Sequence, residues 1–300
     1  MAIINNAHPG SQIRLICLID RVLNRRGNKP ILQNELESLL RPEALPQSDI
    51  GAERLRKNLD FWLEEGLWLK SEAGISPHSP LANERNLPGR VLRTLMANEP
   101  KETLLEGMRG QPFLLGITAL LAQNKYTFVG KSNLTKETVP GAVGLLLKDS
   151  VNEGERRQIN LSNEATTFLE YAFFLGFVEP FMEGYLVDPT RAIENVLDSV
   201  LDNHSSLPAI DFITRLAEVL PMLDGGSYRQ QVEPLINAYN WIPNEPLHLS
   251  ASLSQALVRL ELAMQLKFEI RADDHQAVLL FMPNGQTRRI STVSPGELLK

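Results

Sequence analysis

The chain has 300 residues, of which 43% are hydrophobic and 22% charged, and a formal net charge of −6. This length predicts two or three domains, and the apolar content is that of a globular protein. No apolar run approaches the ~20 residues that span a bilayer, and the first residues lack the charged and apolar regions of a signal peptide. We therefore expect a cytoplasmic protein without a membrane partner, whose single cysteine, Cys17, is buried in an apolar helix.

The negative charge is distributed unevenly along the chain. Residues 1–90 hold 12 Lys and Arg against 11 Asp and Glu, a net of +1, whereas residues 91–190 carry −3 and residues 191–300 carry −4. Because Lys and Arg supply most of the non-specific affinity for phosphate, we expect only the N-terminal third to attract nucleic acid by itself. The acidic remainder would need basic surface from a partner protein to approach DNA.

In chain order, the first elements are helices predicted at residues 11–26, 32–40 and 48–63 and a small hairpin at residues 67–76. Ser48 and Asp49 are expected to cap the third of these helices. Further helices are predicted at residues 90–98, 101–124, 138–147, 190–201, 207–220 and 227–240. The loop at Gly225 and Gly226 predicts a tight turn between the last two of these helices, with Ser227 as the cap.

One pattern, an amphipathic helix that runs straight into a β-hairpin, occurs three times, at about one-hundred-residue intervals. The helices lie at residues 52–63, 163–176 and 252–265, and Gly66 and Gly176 stand where the first two end in a left-handed backbone. In the third hairpin, residues 266–270 alternate inward and outward, and residues 277–282 are expected to return beside them, before a polar tail. A helix followed directly by a hairpin resembles the third helix and wing of a winged helix-turn-helix domain. The long interval between the copies indicates tandem domains.

The predicted fold is mainly α with small β-hairpins, as tandem winged helix-turn-helix modules joined by helices. Residues 1–88 are predicted to form an N-terminal winged-helix domain, and residues 89–190 a helical linker followed by a second winged-helix domain. Residues 191–300 are predicted to form a helical segment and a third winged-helix-like module. The first two helices of the second module do not align clearly with those of the first.

Four cations of the first module are candidates for contacts with double-stranded DNA. Arg54, Arg56 and Lys57 lie in the N-terminal half of the third helix, the part of a winged helix that enters the major groove, and Lys70 on the wing would meet phosphate. The alternative is a solvated or protein-contacting helix face, since acidic residues adjoin these cations and Arg56 and Asp60 have ion-pair spacing. The sequence leaves both interpretations open.

The other two copies carry weaker signals for DNA. In the second copy Thr166 and Thr167 replace the cations, which favours packing against another domain or a partner over contact with DNA. Just before that copy, Arg156 and Arg157 are candidates for contact with the DNA backbone. The third copy is interpreted as an interaction module and has small polar residues at these positions: Ser252, Ser254 and Gln255. Beyond it, the pair Arg288 and Arg289 forms either a small basic patch or ordinary solvated surface.

No motif for catalysis or for a cofactor stands out. The five histidines are scattered with no second ligand at metal spacing. The glycine pair at residues 225–226 lacks the Lys-Ser/Thr ending of a phosphate-binding P-loop and does not follow a strand. No catalytic residue, metal site or cofactor is therefore assigned, and the chain is not expected to be an enzyme.

Three segments of the C-terminal half carry a resemblance to a known family: Val187–Ile193, Leu220–Arg229 and Leu249–Glu261. Together with the opening residues 1–5 and the position of the first module, they resemble the DpdG family. That family is encoded in bacterial gene clusters that insert 7-deazaguanine derivatives into DNA and restrict unmodified DNA. The resemblance implies a non-enzymatic component of the restriction side, acting beside helicase-like and ATPase-like proteins, and it carries over no catalytic residue.

The sequence therefore predicts a DNA-recognition or adaptor subunit of a bacterial anti-phage restriction assembly. The first module would contact DNA, and the other two would dock partner proteins or another copy of the chain as a homo-oligomer. Two alternatives stand beside this one. They are a pure protein–protein scaffold of the defence complex and a winged-helix transcriptional regulator, which usually needs a symmetric dimer and a strongly basic reading head.

Overall fold

The computed structural model describes residues 2–27, 29–44, 46, 48–79, 81–98, 111–122, 133–146, 159–236 and 244–298. Its helices are α1 (Ile13–Arg25), α2 (Gln33–Leu40), α3 (Asp49–Glu64), α4 (Leu87–Ala97), α5 (Gln111–Leu121), α6 (Val139–Leu146), α7 (Ala165–Leu175), α8 (Thr190–Glu194), α9 (Leu197–Leu201), α10 (Ala209–Val219), α11 (Ser227–Val232) and α12 (Ala251–Leu262). Its strands are β1 (Trp68–Ser71), β2 (Gly74–Pro77), β3 (Val178–Phe181), β4 (Gly184–Val187), β5 (Leu207–Pro208), β6 (Leu266–Glu269), β7 (Val278–Phe281), β8 (Thr287–Ile290) and β9 (Thr292–Pro295).

Helices thus combine with small antiparallel sheets, as the sequence predicts. In the first copy of the pattern, the Ser48 hydroxyl accepts a hydrogen bond from the Gly51 N–H and begins α3. The helix ends before Gly66, whose φ is +81°, and β1 and β2 then form the hairpin. In the second copy α7 ends at Gly176, with φ of +87°, and β3 pairs with β4. These helix ends confirm the predicted role of the two glycines.

A third extended segment pairs with the second strand of the hairpin in the first two copies, and with β9 in the third. The antiparallel pairs are Ile31 with Ile75, Leu134 with Tyr185, and Leu207 with Val293. A helix follows each extended segment within a few residues: α2, α6 and α10. The three copies therefore share a strand arrangement as well as a helix–hairpin pattern, and in chain order α5 and α6 precede α7 as α1 and α2 precede α3.

The predicted third hairpin is wrong in its strand pairing. Strand β6 pairs with β9, with Leu266 opposite Pro295, and β7 pairs with β8 instead of returning beside β6. Residues 287–295, predicted as a polar tail, supply both β8 and β9. Alternation within residues 266–270 determines which side chains face inward, but it carries no information about which later strand supplies the hydrogen bonds.

Two other elements differ from their predictions. The helix predicted at residues 227–240 ends at Val232 and continues as a short 3₁₀ turn, with residues 237–240 outside the described ranges. Gly226, not Ser227, is the residue that precedes this helix, and it provides no side-chain cap. The segment predicted as one helix at residues 190–201 forms α8 and α9 with a break at Asn195 and Val196. No described helix has both the length and the hydropathy to cross a bilayer.

Residues 2–11, which we call the N-terminal segment, lie between the first and second copies. Ala2, Ile3 and Ile4 are fully buried and belong to the main hydrophobic core. On one side the Asn58 side chain of α3 donates to the carbonyl of Pro9 at 2.8 Å. On the other side α7 is joined to the segment through the Tyr171 hydroxyl, which donates to the carbonyl of Gly10. This segment therefore fixes α3 and α7 near one another.

Candidate nucleic-acid interface

Helix α3 presents its three predicted DNA-contacting cations to solvent. Arg54, Arg56 and Lys57 are all exposed. Because successive residues of an α-helix are rotated by about 100°, the opposite side of the same helix can be apolar and packed, and its buried members are Leu55, Asn58, Leu59 and Trp62. The amphipathic spacing therefore places the predicted cations where a ligand can reach them.

The three cations do not form one cluster. Arg54 and Lys57 line a pocket of about 270 Å³ between α3 and the N-terminal segment. Arg56 instead faces α2, where its guanidinium lies 3.6 Å from the carboxylate of Glu37. The predicted pair of Arg56 with Asp60 is wrong, because α2 brings a closer carboxylate to this side of the helix. One edge of α3 thus faces a pocket while the other edge faces α2.

The ion pairs on α3 are exposed to solvent and contribute little to stability. Lys57 donates to Glu53 at 2.6 Å, and their side chains are 61% and 64% exposed. The hydrogen bond from Lys57 lowers the pKa of the Glu53 carboxyl, which therefore stays ionised at neutral pH. Exposed pairs of this kind contribute about 0–1 kcal/mol to stability. Among the described residues, no ion pair engages Arg54.

Of the other residues predicted to contact DNA, the structure describes Lys70 but not Arg156 and Arg157. Lys70 is exposed on β1, and its ammonium donates to the side-chain carbonyl of Gln33 at the start of α2, at 3.2 Å. It therefore lies on the hairpin, where the sequence places it, beside an amide rather than a carboxylate. Arg156 and Arg157 lie outside the described residues, so their contact with the DNA backbone stays a prediction.

The second copy borders a larger opening between α7 and the beginning of α1, with a volume of about 730 Å³. Thr166 is exposed and Thr167 is 6% exposed, and both line this space. Asn6 and Gln12 line both this opening and the pocket beside α3. The two spaces therefore adjoin one another, and we call them together the N-terminal cleft. Sequence reasoning missed it, although the apolar run at residues 2–4 was a signal that the N-terminal segment is buried.

The small polar residues of the third copy are not available to a partner. Ser252, Ser254 and Gln255 are 7%, 0% and 6% exposed, respectively. The Ser252 hydroxyl donates to the carbonyl of Leu121 at 2.6 Å, and the Ser254 hydroxyl accepts from the N–H of Phe281 at 2.8 Å. These three side chains are therefore packed inside the protein, and the interpretation of the third copy as an interaction module stays a prediction.

The arginine pair beyond the third copy does not form a free basic patch. Arg288 makes a bidentate pair with Glu261 of α12, with one guanidinium nitrogen 2.7 Å from the carboxylate. That bond also raises the pKa of the Arg288 guanidinium. Arg289 donates to the backbone carbonyl of Asp274. Both cations therefore hold the C-terminal strands to their surroundings.

The segments that carry the family resemblance meet inside the protein. Asp224 accepts hydrogen bonds from the backbone and the hydroxyl of Ser250, the latter at 2.7 Å, and lies 3.3 Å from the guanidinium of Arg229. Asp188 is fully buried and pairs with Arg259 from α12. These contacts join residues 26 and 71 positions apart in the chain. The motifs therefore act mainly by fixing α12 between the α10–α11 loop and the start of α8.

Within the described part of the chain, no three His, Cys, Asp or Glu side chains converge as a metal site would require. Cys17 is partly buried rather than fully buried, and this burial raises the pKa of its thiol. The thiol is therefore protonated at neutral pH, which makes it a poor nucleophile.

The DpdG-like family model matches residues 1–274. Comparison with curated proteins and with solved structures gave no match. The matched range includes α3, the N-terminal cleft and all three segments on which the sequence resemblance depends. Membership also fits the setting of a DNA-modification system. Since the match extends over most of its length, the chain belongs to the DpdG-like family.

Proposed function

We propose that the chain is a non-enzymatic DNA-recognition or adaptor subunit of a bacterial anti-phage DNA restriction system. It acts in the cytoplasm with other proteins of its gene cluster, such as helicase or ATPase components. The observation that carries the proposal is the solvent face of α3, where Arg54, Arg56 and Lys57 stand beside a hairpin that also carries Lys70. Family membership supports the setting in which this surface acts.

The strand arrangement supports a winged-helix interpretation of the first copy. A segment at Ile31 pairs with the second hairpin strand, and α1, α2 and α3 precede that hairpin. In winged helices the third helix enters the major groove and the hairpin follows the DNA backbone. Exposed cations on α3 and Lys70 on the hairpin are consistent with this interpretation, so this copy is the one we assign to double-stranded DNA.

The scaffold alternative is favoured by one observation. Arg56 and Lys57 already have carboxylate partners, Glu37 and Glu53, and the net charge of the chain is −6. A surface of this kind repels DNA unless phosphates replace the carboxylates at little cost. The two functions differ in whether the purified chain binds DNA without a partner.

The test is binding of duplex DNA to the full chain across a salt series, with wild type compared with the Arg54→Ala, Arg56→Ala, Lys57→Ala triple variant. Each phosphate contact that is lost should lower the slope of log affinity against log salt by about 0.9. Because these cations make only exposed ion pairs, the variant should unfold within about 1 kcal/mol of wild type.

A second triple variant provides the matched control. Lys267→Ala, Arg271→Ala and Arg85→Ala remove the same charge from exposed positions outside α3, its hairpin and the N-terminal cleft. This variant should bind duplex DNA with the wild-type salt slope. Equal losses in both variants would show that only net charge matters, and absence of binding even at low salt would leave the scaffold function.

A further inference from the structure

The two ends of the N-terminal cleft are lined by side chains of different chemistry, charged at one end and aromatic at the other. At the α3 end it is lined by Arg54, Lys57 and Glu53, and the Glu53 carboxylate is paired with Lys57, which leaves Arg54 as the cation in excess. At the α7 end it is lined by three aromatic side chains: Phe173, Phe174 and Tyr185. Arg14 is exposed and lies on the cleft wall at the start of α1. A positive end joined to an aromatic end is the combination that binds single-stranded nucleic acid, with phosphates on the cations and bases on the rings.

The aromatic end is held in place by its own contacts. The Phe173 ring is 38% exposed, and its centroid lies 5.9 Å from that of Tyr185. The guanidinium of Arg191 lies 4.6 Å from the Phe173 centroid, and Arg191 is itself paired with Glu179. A ring that is fixed in this way loses little conformational entropy when a base stacks on it.

Polar groups of the cleft suit the edge of a base better than a phosphate. Asn6 and Asn163 bring side-chain amides to the same wall, and amides pair with base edges in two directions. Glu170 on α7 also lines this part, and no described residue forms a hydrogen bond or ion pair with its carboxylate. A carboxylate repels phosphate but accepts a hydrogen bond from the amino group of cytosine. Its position therefore places the base at the α7 end and the phosphate at the α3 end.

We propose that the N-terminal cleft binds an unpaired segment of a DNA strand, with its phosphates at Arg54 and Lys57 and a base against Phe173. This inference rests on the proposed function, because the same α3 cations would face the duplex. It adds a single-stranded ligand to that function and assigns a role to α7, whose predicted DNA contacts are otherwise weak.

The test is fluorescence anisotropy of the full chain with short labelled oligo(dC) and oligo(dT), measured beside the duplex. Phe173→Leu keeps an apolar side chain but removes the stacking surface, and we expect it to weaken binding of both oligonucleotides about tenfold. Duplex affinity should be unchanged in this variant. Phe181→Leu is the matched control, since Phe181 lies on β3 and does not line the cleft, and it should bind like wild type.

A second variant keeps the test decisive where Phe173→Leu disturbs folding. Wild type should prefer oligo(dC) to oligo(dT), and Glu170→Gln, at an exposed position, should reduce that preference. An unchanged preference together with unchanged affinity in Phe173→Leu would overturn the inference.

The outcomes separate this inference from the proposed function. Binding of duplex without binding of single strands overturns the inference and leaves duplex recognition standing. Binding of single strands without duplex supports the cleft as the site and overturns duplex recognition by α3. Binding of neither overturns both and leaves the scaffold, with the cleft open to a segment of a partner protein.

Discussion

Helices α3 and α12 begin the first and third copies of one sequence pattern, yet they use their polar positions in opposite ways. On α3, the polar side chains Arg54, Arg56 and Lys57 are exposed. On α12, Ser252 and Ser254 are buried and hydrogen-bonded. Both helices begin with a serine cap and both lead into a strand. The pattern therefore specifies the local structure, while packing around each helix decides whether its polar face is a surface.

The difference follows from residue type as well as from position. Long charged side chains are almost never fully buried without a partner, whereas serine can bury its single hydroxyl with one hydrogen bond. At the start of α12, the Ser250 hydroxyl donates a hydrogen bond to the carboxylate of Asp224. The comparison teaches that small polar residues at helical spacing indicate packing, and that long cations at the same spacing indicate a surface.

The largest expected effect is at the start of α12. Asp224→Ala removes the acceptor for Ser250 and leaves the guanidinium of Arg229, which is 1% exposed, without one of its two carboxylates. We expect the free energy of unfolding to fall by about 3–5 kcal/mol, measured by chemical denaturation. Asp273→Ala, in an exposed turn, should change it by less than about 0.5 kcal/mol. Similar losses in both variants would mean that α12 is not held by its buried network.

A smaller effect is expected from single polar groups on the two helices. Ser254→Ala removes the acceptor of the Phe281 N–H and should cost about 1–3 kcal/mol. Arg56→Ala removes an exposed pair with Glu37 and should cost at most about 1 kcal/mol. Denaturant midpoints of the two variants measure the difference. If Arg56→Ala proved the more costly change, the assignment of α3 as a free surface would be wrong.

Helix α7 lies between these extremes, and its expected effect appears only at high pH. Complete burial raises the pKa of the Tyr171 hydroxyl well above its ordinary value of 10.0. The folded state therefore favours the neutral, protonated Tyr171 hydroxyl. The stability that this hydroxyl contributes is fully present below pH 10 and is lost as the pH rises from 10 towards the raised pKa of the folded state. Stability should fall by about 1.4 kcal/mol per pH unit in that window.

Tyr171→Phe checks this expectation. The variant loses the hydrogen bond to Gly10, so it should be less stable than wild type by about 1 kcal/mol at neutral pH. Thermal unfolding across alkaline pH should then show a shallower decline for the variant, because phenylalanine cannot ionise. Parallel declines in the two proteins would assign the alkaline loss to other groups.

Much of the helical structure and two of the hairpins could be predicted from the sequence. Amphipathic spacing and the cap at Ser48 are local signals, and they locate α3 correctly. The exposure of Arg54, Arg56 and Lys57 follows from the same spacing. The predicted division into residues 1–88, 89–190 and 191–300 stays a prediction.

What could not be predicted depends on contacts between distant parts of the chain. The pairing of β6 with β9 requires knowing that β7 and β8 form a hairpin of their own. The pair of Asp188 with Arg259 joins residues 71 positions apart, and no local signal marks either as a partner of the other. The N-terminal cleft likewise requires the N-terminal segment and α7 to be neighbours. Local patterns locate elements, but they do not specify which elements meet.

The burial of the N-terminal segment also has a consequence for the order of folding. The hydrogen bond between Tyr171 and Gly10 spans 161 positions, and the Asn6 N–H donates to the carbonyl of Asn163. During synthesis the first residues leave the ribosome long before these partners exist. Ala2, Ile3 and Ile4 therefore complete their burial only after α7 has emerged. Until then the nascent chain exposes an apolar segment, which is a site where a chaperone can bind.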